Sequence, residues 1–434
     1  MVYNPFLMKR IVISFVFVIL GSASFSQTRF HHCGAEEIRQ EMMATSPAFK
    51  AEQEKIEMFT QSYVSLIANS KKTRATIYRI PVVVHVIHNG EPIGNGANIS
   101  VAQVNSQIAV LNKDYRLKNT DSLVTTHAFY GATDDCEIEF CLATLDPLGN
   151  LTTGIDRTDA GQATYDYPEL ETNIKPNTIW DNTRYLNIWV CKLGGTASTL
   201  LGYATPPGTA TDNDGIVIRT NSFGTVGNVT SPFNKGRTAT HETGHYFNLR
   251  HIWGDAPCGN DLVGDTPVAE EENYGCPSFF PYNENNTCGG GANGEMYMNY
   301  MDYVNDNCMK MFTTGQKNRM RATLVTGGSR SSLTVSNGCT WPVGLTEVSK
   351  TSDLTFFPNP ASDHFYIKNT TDFSKDVVVK IVNTIGQDLS SLVGLQKETS
   401  NRLYVNTASL PNGTYFITIN SNSQSTGKSF TILK

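Results

Sequence analysis

Hydrophobic and polar positions along the chain change texture several times, and each change predicts a different kind of element. An apolar run from Ile11 to Leu20 follows Lys9 and Arg10 and gives way to Gly21-Ser22-Ala23-Ser24. That order is the signature of a secretory signal, with cleavage expected just before Gln27. The run is too short to span the roughly 30 Å hydrocarbon core of a bilayer. Residues 27–76 are polar with helical spacing, in "EEIRQEMMA" and "EQEKIEMFTQSYVSLIA", and end in the basic cluster Lys71, Lys72 and Arg74. The β-branched stretch "YRIPVVVHVIH" then predicts a buried strand. Ser100 caps a helix whose apolar face is Val101, Val104, Ile108, Leu111 and Tyr115. Further strands are predicted at "CEIEFCLATL", "YLNIWVCKL" and "GIVIRT", which makes residues 77–341 a mixed α/β (α+β) unit. After Cys339 come short alternating strands broken by Pro, Asn and Gly: "LTFFPNP", "HFYIKN", "VVVKIVN", "RLYVN" and "TYFITIN". They predict an all-β sandwich over residues 342–434.

Composition narrows the reading. The net charge of −6 gives no electrostatic reason to expect nucleic acid as a partner. No stretch after the N-terminus is apolar enough for a membrane span. A secreted chain meets an oxidising compartment, so its nine cysteines have the chance to pair. An odd count leaves at least one thiol to explain. Cys33, alone in "HHCGAEE", is the natural odd one out.

The sharpest chemistry lies in "HETGHYFNLRH", His241 to His251. Residues four apart share one helix face, so His241 and His245 can aim two imidazoles at one ion. Glu242 lies beside the first of them, where it can accept a proton from a metal-bound water. His251 poses a geometric problem. Six residues add about 600° of helical rotation, so a straight helix points it away from the other two. The helix must stop and the chain must turn through a left-handed residue, normally glycine. Asn248 stands at the turning position, and asparagine is the best non-glycine occupant. The spacing therefore predicts a zinc site of His241, His245 and His251. The bland alternative is three histidines on an amphipathic helix.

A second stretch, "MNYMDYVNDNCMKMF", follows some fifty residues on. Together with "HIWGD", the "FT..Q" after it and "YRIPVVVHVIH", it resembles the metzincin zinc endopeptidases, in the pappalysin/cytophagalysin branch, over roughly residues 78–341. The resemblance implies a metzincin-like catalytic domain with a mixed sheet and an active-site helix. It implies that Met301 forms a floor beneath the metal and that Tyr303 stabilises an oxyanion. It implies disulfides Cys258–Cys288 and Cys276–Cys308, where spacing alone leaves three pairings open. Asp261, Asp265, Thr266 and the Gly264 carbonyl in "DLVGDTP" supply hard oxygens, and related enzymes hold calcium there. A polar turn is the alternative. Cys33 is expected to ligate zinc in a latent form, with residues 27–76 as propeptide; an unpaired cysteine in a disordered tail, or one bonded to Cys339, is the alternative. Cys136, Cys141 and Cys191 stay open between core thiols and a disulfide. Arginine-preferring relatives carry an acidic residue just before the cysteine that follows the methionine turn. Here that position is Asn307, with Asp306 beside it, so Arg or Lys at P1′ is an expectation.

The last stretch, with "FPNPASDHFYI", "LPNGTYFI" and "KSFTILK", resembles the C-terminal sorting domain of type IX secretion. That implies partnership with the secretion machinery and export through the periplasm and outer membrane; a carbohydrate-binding sandwich using Tyr366, Tyr404 or Tyr415 is the alternative. The whole reads as a secreted zinc metalloendopeptidase, made as a latent zymogen, monomeric and acting on proteins or peptides. Two rivals are a catalytically silent surface adhesin and a non-peptidase zinc hydrolase.

Overall fold

The computed structural model describes residues 33–68, 76–209, 212–278, 281–282, 287–288, 291–340, 354–369, 372–373, 377–383, 387–421 and 424–434. The signal segment, the basic cluster at Lys71–Arg74 and the stretch 341–353 lie outside the described residues. Two helices come first, α1 (Ala35–Thr45) and α2 (Pro47–Ala68). Strand β1 (Tyr78–His88) is the predicted stretch in full. It is flanked by β2 (Ile138–Leu142) and β3 (Ile155–Asp159) on one side and β4 (Leu186–Cys191) on the other. All three pair with it in parallel, and residues 80–87 are buried on both faces, which is why it reads as a near-continuous apolar run interrupted there only by His85. Val82, Val84 and Val86 are fully buried, each contributing roughly 1.5–3 kcal/mol.

The sheet continues through β6 (Ile216–Arg219), parallel to β4, to β5 (Gly202–Ala204), which runs antiparallel at the edge. The mixed sheet is therefore parallel except at one rim. Helix α3 (Val101–Asp114) packs on it, with the Ser100 side chain accepting from the Gln103 amide at 3.1 Å. Val104, Ile108 and Leu111 are buried as predicted, but Val101 is half exposed. As the first helical residue it starts ahead of the buried stripe.

Three disulfides close the fold. Cys258–Cys288 and Cys276–Cys308 staple the loop-rich segment, and Cys141–Cys339 ties β2 to the chain 198 residues on. The alternative of Cys33 bridged to Cys339 is thereby overturned, and Cys136 and Cys191 are buried thiols.

The C-terminal strands form two antiparallel sheets. One is β10 (Gly394–Thr399), β11 (Arg402–Asn406), β8 (His364–Lys368) and β7 (Thr355–Phe357), in that order. The other is β13 (Gln424–Ile432), β12 (Gly413–Ser421) and β9 (Val378–Asn383). Phe365, Leu403, Ile381 and Ile417 share one core between them, as a β-sandwich requires.

Candidate active site

The helix Arg237–Tyr246 carries the first part of the motif. It ends as the spacing demands. Asn248 has φ +72°, its amide donates to the His245 carbonyl at 2.9 Å, and the Leu249 amide donates to the Gly244 carbonyl at 3.0 Å. This is the paired hydrogen-bond pattern of a helix closed by a left-handed residue. The turn swings His251 back, and the three Nε2 atoms converge: 3.1 Å between His241 and His245, 3.0 Å between His245 and His251, 3.3 Å between His241 and His251.

The other ring nitrogens settle what these three offer. His241 Nδ1 lies 2.7 Å from the Tyr300 carbonyl and His245 Nδ1 2.9 Å from the Leu249 carbonyl. A carbonyl only accepts, so each of these Nδ1 atoms carries the proton and each Nε2 presents a lone pair. His251 Nδ1 meets the Asp255 carboxylate, a partner that fixes a ligating imidazole in the same way. Burial holds His245 well below the ordinary histidine range, so it stays neutral. Buried lone pairs facing one another need a cation between them, and the donor set fits a divalent metal.

Cys33 Sγ belongs to the same cluster, with all ligand atoms within 4.8 Å of one another. The Cys33 thiol donates to Glu242 Oε2 at 3.3 Å, and its sulfur accepts from the Ala35 amide at 3.3 Å. Cys33 pairs in parallel with Gly202 of the rim strand β5, and the Gly34 amide donates to the Gly202 carbonyl at 3.1 Å. Burial, then the Glu242 charge, pushes the thiol well up; burial likewise raises Glu242, against the Cys33 hydrogen bond. A cation among the histidines reverses both tendencies.

Beneath the helix lies the methionine turn. Met301 is fully buried, its amide donating to Asn299 Oδ1 at 2.9 Å. Asn299 is locked in turn by Gln316 through two bonds of 2.8 and 2.9 Å. Gln316 also completes the capping box of the helix Thr314–Leu324 with Thr313, which accounts for "FT..Q". The Tyr303 ring stands 4.9 Å from His251 and 5.7 Å from His241, and Trp253 stacks on His251 at 4.4 Å.

Other predicted residues fall elsewhere. Asp261 Oδ2 accepts from Thr266 Oγ1 at 2.7 Å and Oδ1 from the Val263 amide at 3.0 Å. Asp265 is taken by Thr313 Oγ1 at 2.6 Å and the Gly315 amide at 2.8 Å, so it serves the start of the helix Thr314–Leu324. Asn307 is exposed. Its neighbour Asp306 is the buried one, lining a small cavity with Thr238, His241, Glu242 and Tyr303. Asp306 Oδ2 accepts from the Lys235 amide at 2.7 Å and Oδ1 has no hydrogen-bond partner among the described residues. Sequence reasoning missed Asp255, although "HIWGD" contains it, and the rim strand β5, too short to show a period.

Comparison with known proteins gives this geometry its family. A family model described as pregnancy-associated plasma protein-A, a peptidase family, matches residues 170–325, and a secretion system C-terminal sorting domain matches residues 355–433. An extracellular metalloprotease of Colletotrichum graminicola is 32% identical over 258 residues, covering 58% of this chain and 78% of the relative. One of Podospora anserina is 28% identical, covering 70% and 94%. Among solved structures, a promirolysin variant of Tannerella forsythia is similar at 40% identity and TM-score 0.61, covering 70% of this chain and 97% of that one. Mirolysin in complex with a small compound is similar at 45% identity and TM-score 0.55, covering 60% and 97%.

The site and fold thus define a metalloendopeptidase, a hydrolase of peptide bonds. The chain belongs to the pregnancy-associated plasma protein-A, or pappalysin, family of the metzincins, and it carries a type IX sorting domain that marks it for secretion.

Proposed function

We propose that the chain is a latent zinc endopeptidase in which His241, His245 and His251 hold zinc and Cys33 supplies the fourth ligand until residues 27–76 are removed. The observation that carries this reading is the convergence of three Nε2 lone pairs with one thiol in a buried cluster. Bound zinc would lower the pKa of a water toward ~7 and polarise a scissile carbonyl. The residues divide the remaining work. Glu242 Oε1 is buried and has no hydrogen-bond partner among the described residues; it takes the proton of the attacking water and passes it to the leaving amine. The Tyr303 hydroxyl stabilises the developing oxyanion. Strand β5, whose Gly202 now pairs with Cys33, offers its edge to a substrate backbone. Asp306, walled by Thr238 and Met309, recognises a basic P1′ side chain.

In this reading residues 1–26 are the signal, 77–341 the catalytic unit and 342–434 the sorting unit, and one chain is the active species. Calcium at Asp261, Gly264 and Thr266 is part of the same proposal, with Asp265 withdrawn to the helix end. The test is Glu242→Ala. It should keep its metal load and melting temperature and lose peptide hydrolysis by several orders of magnitude. Near-native turnover with a full metal load would sink the mechanism.

A further inference from the structure

Helix α2 reaches the metal-binding turn by a route separate from Cys33. Arg319, on the helix Thr314–Leu324, is only 3% exposed. Its Nε donates to the carbonyl of Asn248, the left-handed residue between the second and third histidines, at 2.9 Å. Its two remaining nitrogens grip Glu57 of α2, at 3.0 Å to Oε1 and 2.5 Å to Oε2. Asn248 Nδ2 also donates to Thr60 Oγ1 of α2 at 3.4 Å. A cavity of about 190 Å³ runs alongside, lined among others by Glu57, Asn248, Arg250 and His245. Glu57, which the guanidinium holds, and the metal-binding His245 therefore line one space.

We propose that Arg319 is a carboxylate-binding subsite of the processed enzyme, filled in the uncut chain by Glu57 and opened to acidic side chains of the substrate when α2 departs. The inference rests on the reading that residues 27–76 are removed. Two physical points carry it. A planar guanidinium anchored at Nε by a backbone carbonyl keeps its fork aimed at one spot, and that fork matches a carboxylate in bidentate fashion. Departure of Glu57 leaves the two outer nitrogens of the fork without a carboxylate and free to pair with another one. Arg250, close enough to repel Arg319, adds to the positive field of the same cavity.

The test uses processed enzyme and fluorogenic peptides with one basic P1′ residue, in which each other position carries Glu or Gln in turn. One position should show kcat/KM roughly tenfold higher for Glu than for Gln. That ratio should fall to about one in Arg319→Gln. It compares two substrates on a single enzyme, so it is insensitive to the fraction folded. A synthetic peptide of residues 47–68 should bind processed enzyme about tenfold more tightly than its Glu57→Gln form, which checks the subsite without any enzyme variant. A ratio below about twofold at every position overturns the substrate role, even if the peptide binds; the site would then serve only the released propeptide. Equal binding of the two peptides overturns the carboxylate site itself. Processed enzyme lacks Cys33, so neither result touches the thiol–metal latch, whose failure would show instead in the uncut chain.

Discussion

Gly244→Ala tests how closely the metal-binding helix rests on its floor. A Cβ at position 244 would lie 2.5 Å from Met301 Sδ and 3.4 Å from Leu249 Cδ1. Non-bonded carbon and sulfur atoms prefer roughly 3.5–4 Å, so Met301 or the helix must move by about 1 Å. Met301 is fully buried and its backbone is pinned by Asn299, so the sulfur has little free space to enter. Removing a glycine from a helix interior is worth about 0.5–1 kcal/mol in the favourable direction. Overpacking a filled core costs about 1–3 kcal/mol. The balance is a loss of about 1 kcal/mol, or a melting temperature lower by roughly 2–4 °C for a catalytic unit of this size. The displaced helix also carries His241 and His245, and an ångström of misplacement near reacting groups costs on the order of a hundredfold in rate. Thermal unfolding of the metal-loaded protein and kcat/KM on one peptide measure both. A variant more stable than the parent, with unchanged kcat/KM, would refute the packing argument, because helix propensity alone would then have decided the outcome.

Three further outcomes are expected. Cys33→Ala should give an uncut chain that is active or processes itself much faster; a variant as silent as the parent would assign latency to steric blocking. Burial raises Asp306 to about 6, so it is neutral below that pH and charged above it. Preference for Arg over Leu at P1′ should accordingly strengthen as pH rises from about 5 to about 7, and Asp306→Asn should abolish that trend; a flat ratio in the parent would contradict the assignment. A calcium-selective chelator should lower the melting temperature without stripping zinc, since calcium at a hundred times its dissociation constant stabilises by about 2.7 kcal/mol. No shift over a wide calcium range would leave "DLVGDTP" a polar turn.

The metal cluster was legible because its geometry is local. His241, His245 and the turn at Asn248 lie within one helix and its cap, where 3.6-residue periodicity and the left-handed preference of asparagine dictate the outcome. Strand β1 was legible for the same reason, since burial on both faces leaves His85 as the one polar residue between Ile80 and Ile87. The losses share a cause too. Arg319 and Glu57 stand 262 residues apart, and no local pattern joins them. Rim strand β5 is three residues long, below the length at which alternation can be read. The choice between Asp306 and Asn307 depends on backbone direction in an irregular turn, where neighbouring side chains point apart with no fixed period. Cys141 found Cys339 across 198 residues, which cysteine counting alone could not select.

Zinc-edge X-ray absorption on the uncut and processed chains tests the central claim most directly. The uncut chain should show three nitrogen neighbours near ~2.0 Å and one sulfur near ~2.3 Å. After processing, the sulfur should vanish and an oxygen should take its place, with the three nitrogens retained. A first shell without three nitrogens, or an uncut chain without sulfur, would contradict the account.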